Sequence, residues 1–579
     1  MSDQEQQQQQ VRRKGGLITM PFIIANEAFE KVSSYGLLPN MILYLMEEYG
    51  MTLAEGTQVI FLWSAATNFT PLVGALVADS YLGRFLTIAI GSIISLLGMI
   101  LLWLTAMIPQ LRASSPPQLA FLYFSYSLMS IGAGGIRACS PGFGADQLDD
   151  KRDDSSNTRL LESYFNWYYV AASAAVLVSL TVIVYIQDEL GWKIGFAVPA
   201  ALMFLSASMF IVASSLYVKH EASTNLLASF AQVIVASCRK WNAPFPSPST
   251  SEQYYHHEKE AGFLVPTSVP TNKSRFLNKA CTIMSYEEEV SSDGSAVNPW
   301  RTCTVEQVEQ LKSLIRIIPM WSTSIMMSVN TSQSTFLLVQ AEAMDRHLTQ
   351  SIEIPAGSFN MFLVISMIVW LPIYDRAIIP LVSKILGRPV RLGVKLRMGI
   401  GLFFCALSMV VAGVVEHVRR DLAVDTIMLV NNSKAAATMS AMWLIPQCVL
   451  QGVGEAFNVV GQLEFYYSEF PTSMVSLASA LYWLGMAVAN LLDSAIVSMV
   501  DEITSRNGGT SWVTTDINEG HLDWYYWLLA SLGLANVLYF AVCSVSYGPC
   551  SREVVKTEES EMIVDEEEIS MLLGHTHVH

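Results

Sequence analysis

Charge is scarce in this sequence. Asp, Glu, Lys and Arg make up 15% of its 579 residues, while 52% are apolar or aromatic; a soluble chain would carry about a quarter charged residues. The shortfall sits in repeated stretches of about 20 apolar residues, the length that crosses a bilayer core as a helix. This excludes a soluble globular protein and marks a polytopic membrane protein. A basic domain is missing too. The net charge is -16, and no segment stands apart as a nucleic-acid footprint. Cysteine is sparse, eight in all, and without metal-ligand spacing. Cys139, Cys405, Cys448 and Cys543 fall in or beside apolar spans. Cys238, Cys281, Cys303 and Cys550 fall in segments assigned to the cytosol, where disulfides rarely persist. There is no Walker A loop, which argues against ATP-driven pumping, and no constellation of nucleophile and base points to an enzyme. His256-His257 and the tail residues His575, His577 and His579 read as solvated rather than metal-binding. No metal and no cofactor is expected. No secretory signal is visible, so the first span is expected to direct insertion.

What is present is a set of twelve candidate spans, at 18–46, 58–78, 86–109, 118–140, 164–186, 195–218, 312–338, 358–375, 396–416, 439–463, 474–499 and 524–547. An all-α membrane protein follows. Residues 1–15 read as a disordered polar arm, 16–218 as a six-helix bundle and 219–311 as a cytosolic linker. A second six-helix bundle fills 312–548, and 549–579 is an acidic cytosolic tail. The acidic run Glu287-Glu288-Glu289 in the linker reads as solvated. Lys and Arg crowd one set of loops, among them Arg12, Arg13, Lys14, Arg84, Lys151, Arg152, Lys219, Lys384, Arg388 and Lys395. The other set holds Arg112, Lys193, Arg346, Arg419, Arg420 and Lys434. The bias places both termini in the cytosol. Asn431-Asn432-Ser433 then faces outward, and Asn431 is a candidate glycan acceptor. Two six-span halves around a long linker suggest halves rocking about a central site, as in secondary transporters.

Charged residues inside spans locate that site. Glu27, Glu30 and Lys31 lie within the first span at i, i+3 and i+4, so they share a helix face. One charge near the bilayer centre costs about 3 kcal/mol on insertion scales; three survive only when paired and turned to a protein interior or a wet cavity. An ion or proton pathway is the expectation, against the blander reading of a turn at the membrane surface. Arg137 closes the glycine-rich run Gly132-Ala133-Gly134-Gly135-Ile136, and Glu455 follows Gly452-Val453-Gly454 in the tenth span. One cation and one anion, one per half, suit a gate that closes one side of a cavity; the alternatives are unrelated helix-end charges or a permanent structural pair. Asp493, in the eleventh span, is read as snorkelling near the outer face and is given no role. Asp79 and Arg84, around the turn at Gly83, are expected to latch spans two and three. Arg84-Phe85-Leu86-Thr87 resembles a basophilic kinase site, with a kinase as partner, although Thr87 falls where span three would bury it.

These stretches together resemble the plant nitrate/peptide transporter family, a branch of the proton-coupled oligopeptide transporters. The resemblance rests on Glu27-Ala28-Phe29-Glu30-Lys31 with Tyr35-Gly36, on Ala78-Asp79-Ser80-Tyr81-Leu82-Gly83-Arg84-Phe85, and on Phe143-Gly144-Ala145-Asp146-Gln147. Tyr374-Asp375-Arg376, Gly452-Val453-Gly454-Glu455 and Pro471-Thr472-Ser473-Met474 add to it. The fold it implies is that of the major facilitator superfamily, twelve helices as 6+6, working by alternating access. By resemblance Glu27, Glu30 and Lys31 carry proton coupling, Glu455 pairs across the cavity with the basic residue of span four, and Tyr35 lines the cavity. Arg316 matches the start of the seventh helix, and Thr87 a position phosphorylated in nitrate-transporting members.

Three departures stand out. Arg137 replaces the family's usual Lys; it stays charged and can hold an anion by its fork of donors. Asn330 stands where a nitrate-binding member has His, and supplies no titratable cation. Ala172-Ser173-Ala174-Ala175 replaces an Asn-x-Gly element. The expected activity is proton-coupled symport of a small anion, nitrate first, driven by the proton gradient. Transport of a hormone such as gibberellin or abscisic acid, or of peptides, is the alternative. A ligand-sensing receptor that transports little is the rival from another class, supported by the linker and Thr87. The plasma membrane is the expected location, or the vacuolar membrane if Glu568-Ile569-Ser570-Met571-Leu572-Leu573 works as a dileucine signal.

Overall fold

The computed structural model describes residues 15–111, 115–148, 154–219, 226–242, 254–256, 270–271, 274–285, 289–291, 295–349, 352–387, 392–429, 439–470, 474–506 and 509–548. Asn431, the dileucine stretch and nearly all of the terminal segments 1–15 and 549–579 lie outside the described residues. Among the described residues the regular structure is helical apart from isolated bridges and a short antiparallel ribbon, β1 (His347–Thr349) with β2 (Ile352–Glu353).

Seven helical stretches among the described residues are long and apolar enough to cross a membrane. Two of them, Leu53–Met107 with 55 residues and Ser163–Ser215 with 53, are more than twice the roughly 20 residues that one crossing needs. Each is broken at a glycine. Gly83 (φ 73°) separates α3 (Leu53–Val77) from α4 (Gly83–Met107), and Gly191 (φ 74°) kinks α7 (Val184–Val212) away from the run that begins in α6 (Asp154–Val178). Both backbones sit at positive φ, which a residue with Cβ adopts only under strain. The remaining apolar stretches hold α5 (Pro116–Leu148), α11 and α12 (Met361–Ile373 and Ile379–Leu386), α13 (Val394–Leu429), α15 (Val475–Ser505) and α16 (Leu522–Tyr547). Three expected spans are outside these seven. They coincide with α1 and α2 (Met20–Leu37 and Met41–Tyr49), α9 and α10 (Val305–Thr331 and Ser334–Glu342), and α14 (Ile445–Glu469). These helices carry several of the polar residues of the site described below, among them Glu27, Glu30, Lys31, Thr331 and Glu455.

Local signals set the helix ends. Thr52 and Glu55 cap α3 reciprocally: the Thr52 Oγ1 accepts from the Glu55 amide at 3.2 Å, and the Thr52 amide donates to Glu55 Oε2 at 2.9 Å. Five-residue π turns at Ala78–Leu82, Ser179–Ile183 and Tyr374–Ile378 shift the helical register where helices continue into one another. Close approach does the rest. Gly134 of α5 lies against α3 so tightly that an added Cβ would meet the Thr70 Cβ at 2.5 Å, the small-residue contact that replaces hydrophobic drive between membrane helices.

The chain forms two compact units: Met1–Thr224 with Thr323–Val460 and Ala480–Tyr539, and Asn225–Ser322 with Gly461–Ser479 and Phe540–His579. The first contains the main hydrophobic core, from Leu37 and Tyr44 through Met203 and Phe336 to Tyr525. The second contains most of the linker, which departs from the solvated reading at Glu289. Glu289 is buried, its carboxylate 2.9 Å from Lys240 Nζ, which also donates to the Thr282 carbonyl at 2.6 Å. Lys240 follows α8 (Leu226–Arg239) directly. Burial pushes the Cys281 thiol up to about 12 and that of Cys303 to about 11, while Cys238 stays exposed. In the same unit Arg316 lies 3.6 Å from Glu469 and stacks over the Tyr547 ring, whose hydroxyl donates to Glu469 at 2.7 Å. Within the first unit, Arg419 is no loop cation: α13 runs past it, and it is fully buried 2.8 Å from Glu416.

Candidate functional site

α1 presents Glu27, Glu30 and Lys31 on one face, with Ser34 and Tyr35 one turn further along. Lys31 Nζ stands 3.3 Å from Glu27 Oε1. Glu30 is fully buried; its Oε1 accepts the Ser34 hydroxyl at 2.6 Å and lies 3.5 Å from Arg137 Nε. Tyr35 sits between the two cations, its ring centre 5.2 Å from Lys31 Nζ and 5.3 Å from the Arg137 guanidinium carbon. Arg137 reaches this point because Gly134, one turn earlier, lets α5 approach α3. Ionised side chains out of water cost several kcal/mol each unless paired, so the two ion pairs hold each other in place.

The facing wall comes from α9, α14 and α15. Glu455 Oε1 accepts the Thr331 hydroxyl at 2.6 Å, and Gln451 Nε2 donates to the same hydroxyl at 2.8 Å. Gly454, just before Glu455, lies against α13; an added Cβ would meet Cys405 Sγ at 2.5 Å. Trp483 brings its ring to 5.8 Å from the Arg137 guanidinium. Between these walls is a cavity of about 410 Å3, lined by Lys31, Tyr35, Arg137, Thr331, Glu455, Tyr482, Trp483 and Asn490, with Trp63, Met129, Met327, Leu363 and Met486 among its apolar lining. That volume is within the range of small-molecule sites. The ionisable lining and its partners comprise three carboxylates against two cations.

Several expected arrangements differ. Arg137 and Glu455 line one cavity, but Arg137 pairs with Glu30, its neighbour across α1 and α5, instead of Glu455. Asn330 does not line the cavity: its Nδ2 donates to the Cys405 carbonyl at 3.4 Å and its side chain is buried beside α13, whereas the next residue, Thr331, faces inward. Arg84 donates from Nη1 to both oxygens of Asp146 at 2.8 Å, so the latch ties α4 to the end of α5 and not to Asp79. The rule of nearby charges in sequence favoured Asp79; the tertiary packing of α4 on α5 supplies Asp146, already present in the motif Phe143-Gly144-Ala145-Asp146-Gln147. Thr87 is buried, its hydroxyl donating to the Gly83 carbonyl at 2.9 Å, and offers no open hydroxyl to a kinase here. Asp493 does not reach the surface; it is fully buried. Sequence reasoning missed Thr331, Tyr482, Trp483 and Asn490, because aromatic and small polar residues in an apolar run read as packing.

The profile of the POT family, PTR2, matches residues 85–513. Protein NRT1/PTR FAMILY 1.2 of Arabidopsis thaliana is 53% identical over 580 residues, covering 97% of this chain and 94% of that protein. Protein NRT1/PTR FAMILY 1.1 of the same plant is 53% identical, covering 97% and 96%. Among solved structures, an auto-inhibited POT family peptide transporter superimposes with a TM-score of 0.66 at 18% identity, over 91% of this chain and 96% of that one. The POT family transporter PepTSo gives 0.65 at 20% identity, over 91% and 98%. The fold is therefore the helical one of the major facilitator superfamily. With the family profile over most of its length and relatives identical at every second residue, the chain belongs to the POT family, in its NRT1/PTR branch, and is a multi-pass membrane protein of the secondary-transporter class.

Proposed function

We propose that this protein is a proton-coupled symporter of a small anion, with nitrate the first substrate to test. The observation that carries the reading is the Glu30–Arg137 pair in the wall of the central cavity. Arg137 cannot give up its proton in a protein, so it remains a cation through the cycle. An incoming anion competes with Glu30 for it. A proton on Glu30 removes that competitor and leaves the guanidinium fork free to take two oxygens of nitrate or a carboxylate. Proton and anion then favour each other's binding, and by linkage the effect is reciprocal. Glu27 and Lys31 form the second pair on the same face, and Glu455 faces them without a cation of its own among the described residues. Alternation of the two sets of helices around the cavity completes the cycle.

The test is labelled-nitrate uptake into oocytes expressing the full chain, at acidic and neutral outside pH, beside Glu30→Gln. Acid-stimulated accumulation in the wild type, with acid stimulation abolished in Glu30→Gln at equal surface expression, is the expected outcome. Undiminished pH-driven uptake by Glu30→Gln would overturn the coupling assignment. The plasma membrane is the compartment in which this assay reads the protein.

A second reading is favoured by the size of the cavity. Nitrate has four heavy atoms, a volume of the order of one or two waters at about 30 Å3 each, whereas the cavity measures about 410 Å3 and mixes Tyr, Trp and Met with its charges. An organic monocarboxylate, the class that includes gibberellin and abscisic acid, would use the same Arg137 fork and fill the apolar remainder. Competition of labelled nitrate by a panel of such acids separates the two.

A further inference from the structure

We propose that Asp493 is a proton-binding site of this carrier, separate from the carboxylates of α1, filled and emptied through the central cavity. Its part in transport rests on the proton-coupled reading above. Asp493 lies well inside α15 and is 0% exposed. Its Oδ1 accepts from Gln333 Nε2 at 2.9 Å; its Oδ2 is buried and accepts no hydrogen bond of good geometry, with the Ser332 hydroxyl beside the carboxyl. The other fully buried carboxylates of this unit are accounted for differently. Glu30 has Arg137 at 3.5 Å and Glu416 has Arg419 at 2.8 Å. Glu455 is only partly buried and lines the cavity itself. No cation among the described residues pairs with Asp493.

The groups that face it are all uncharged at neutral pH. From the stretch joining α9 and α10 come Gln333 and Ser332. From α16 comes Tyr525, the titratable group in the set, whose hydroxyl donates to Gln333 Oε1 at 3.1 Å. From α15 itself comes Asn490. An isolated carboxylate in such a setting neutralises by taking a proton instead of bearing the full cost of a buried charge. Oδ2 is the place for it. As a mere acceptor for Gln333, an Asn would serve equally well without the liability; the carboxyl adds the capacity to titrate.

A route to the cavity is present. Ser332 and Asn490 both line it. The Ser332 hydroxyl donates to Asn490 Oδ1 at 3.3 Å, and Asn490 is one turn before Asp493 on the same helix face. A proton from cavity water passes to Oδ2 past this hydroxyl and returns the same way; only O–H bonds form and break. The carrier thus holds a proton among α9, α15 and α16 as well as at the wall formed by α1.

Two measurements on full-length protein test this. In purified wild type in lipid, infrared spectroscopy at neutral pH is expected to show a carboxylic-acid C=O band that is lost in Asp493→Asn, a variant of the same shape that keeps the Gln333 contact. In oocytes, Asp493→Asn is expected to lower the apparent proton order of uptake by one. Ser332→Ala is expected to keep the band but slow its response to a pH jump, which guards against a fold-wide effect of the first variant. The same band in Asp493→Asn, or a lost band with unchanged proton order, would overturn the proposal. A wild type with no acid stimulation sinks the symport reading, while the infrared band still decides whether Asp493 holds a proton.

Discussion

At position 137 an arginine decides which group can carry the proton. A lysine there could release one; a guanidinium cannot. In the proposed symport the exchangeable proton therefore belongs to carboxylates, and Glu30, in contact with Arg137, is the one whose charge the anion would displace. Two substitutions separate charge from geometry. Arg137→Lys keeps the charge but loses the fork, so acid stimulation is expected to persist while the half-saturation concentration rises about tenfold, equivalent to ~1.4 kcal/mol. Arg137→Gln leaves Glu30 buried without its cation, a loss of about 3–5 kcal/mol, and uptake per surface molecule is expected to fall by about a hundredfold or more. Uptake curves normalised to surface protein check both; a Lys variant with wild-type half-saturation would show that the fork is not used. The sequence exposed the ionisable members of this site, because charges in apolar spans stand out. It did not expose their pairing. Glu27 with Lys31 is a matter of helical spacing, but Glu30 with Arg137 depends on how α1 lies against α5, and the 106 intervening residues carry no spacing rule.

At the scale of elements, apolar length found the helices, and the least apolar ones proved to hold the chemistry. α1, α9 and α14 fall short as membrane spans on hydropathy and contribute Glu30, Thr331 and Glu455. The two glycine breaks were readable only in part: Gly83 sits in a turn motif, whereas Gly191 carries no comparable signal. At Glu289 the linker was misread because polar composition was taken as solvation. Glu289 is held instead in a buried ion pair with Lys240, a residue far from it in sequence. Thiol chemistry tests that packing, since the thiolate is the reactive form. Cys238 is exposed, while burial pushes Cys281 up to about 12 and Cys303 to about 11. These two folded-state values lie above the ordinary thiol range, so both stay protonated at neutral pH, and reactivity is expected only as pH rises toward them. With Cys550→Ser as background, maleimide is expected to label Cys238 within minutes and Cys281 and Cys303 at least about tenfold more slowly. Glu289→Gln, which strips Lys240 of its partner, is expected to speed labelling of Cys281. Equal rates at all three thiols would show a linker without this packing.

For the whole molecule, coupling means that the carrier reorients readily when both ligands are bound and poorly when one is bound without the other. In the proposed cycle protonation and anion binding act on the same contact, Arg137 with Glu30, so Glu30→Gln would imitate the protonated state permanently. Such a carrier binds anion without waiting for a proton and cycles in its loaded form. It has lost the step at which the gradient enters. Exchange of labelled for unlabelled anion across a membrane at equal pH on both sides is therefore expected to continue in Glu30→Gln, while uphill accumulation under an inward proton gradient fails. Proteoliposomes containing the full chain permit both measurements on one preparation. Loss of exchange together with accumulation would mean that Glu30 is needed to hold or move the anion itself. Accumulation that survives would move the driving proton to another carboxylate, with Glu27, Glu455 and Asp493 as the groups to neutralise next. A receptor that transports little would show neither flux in the wild type, so the same vesicles also separate the transporter from its rival.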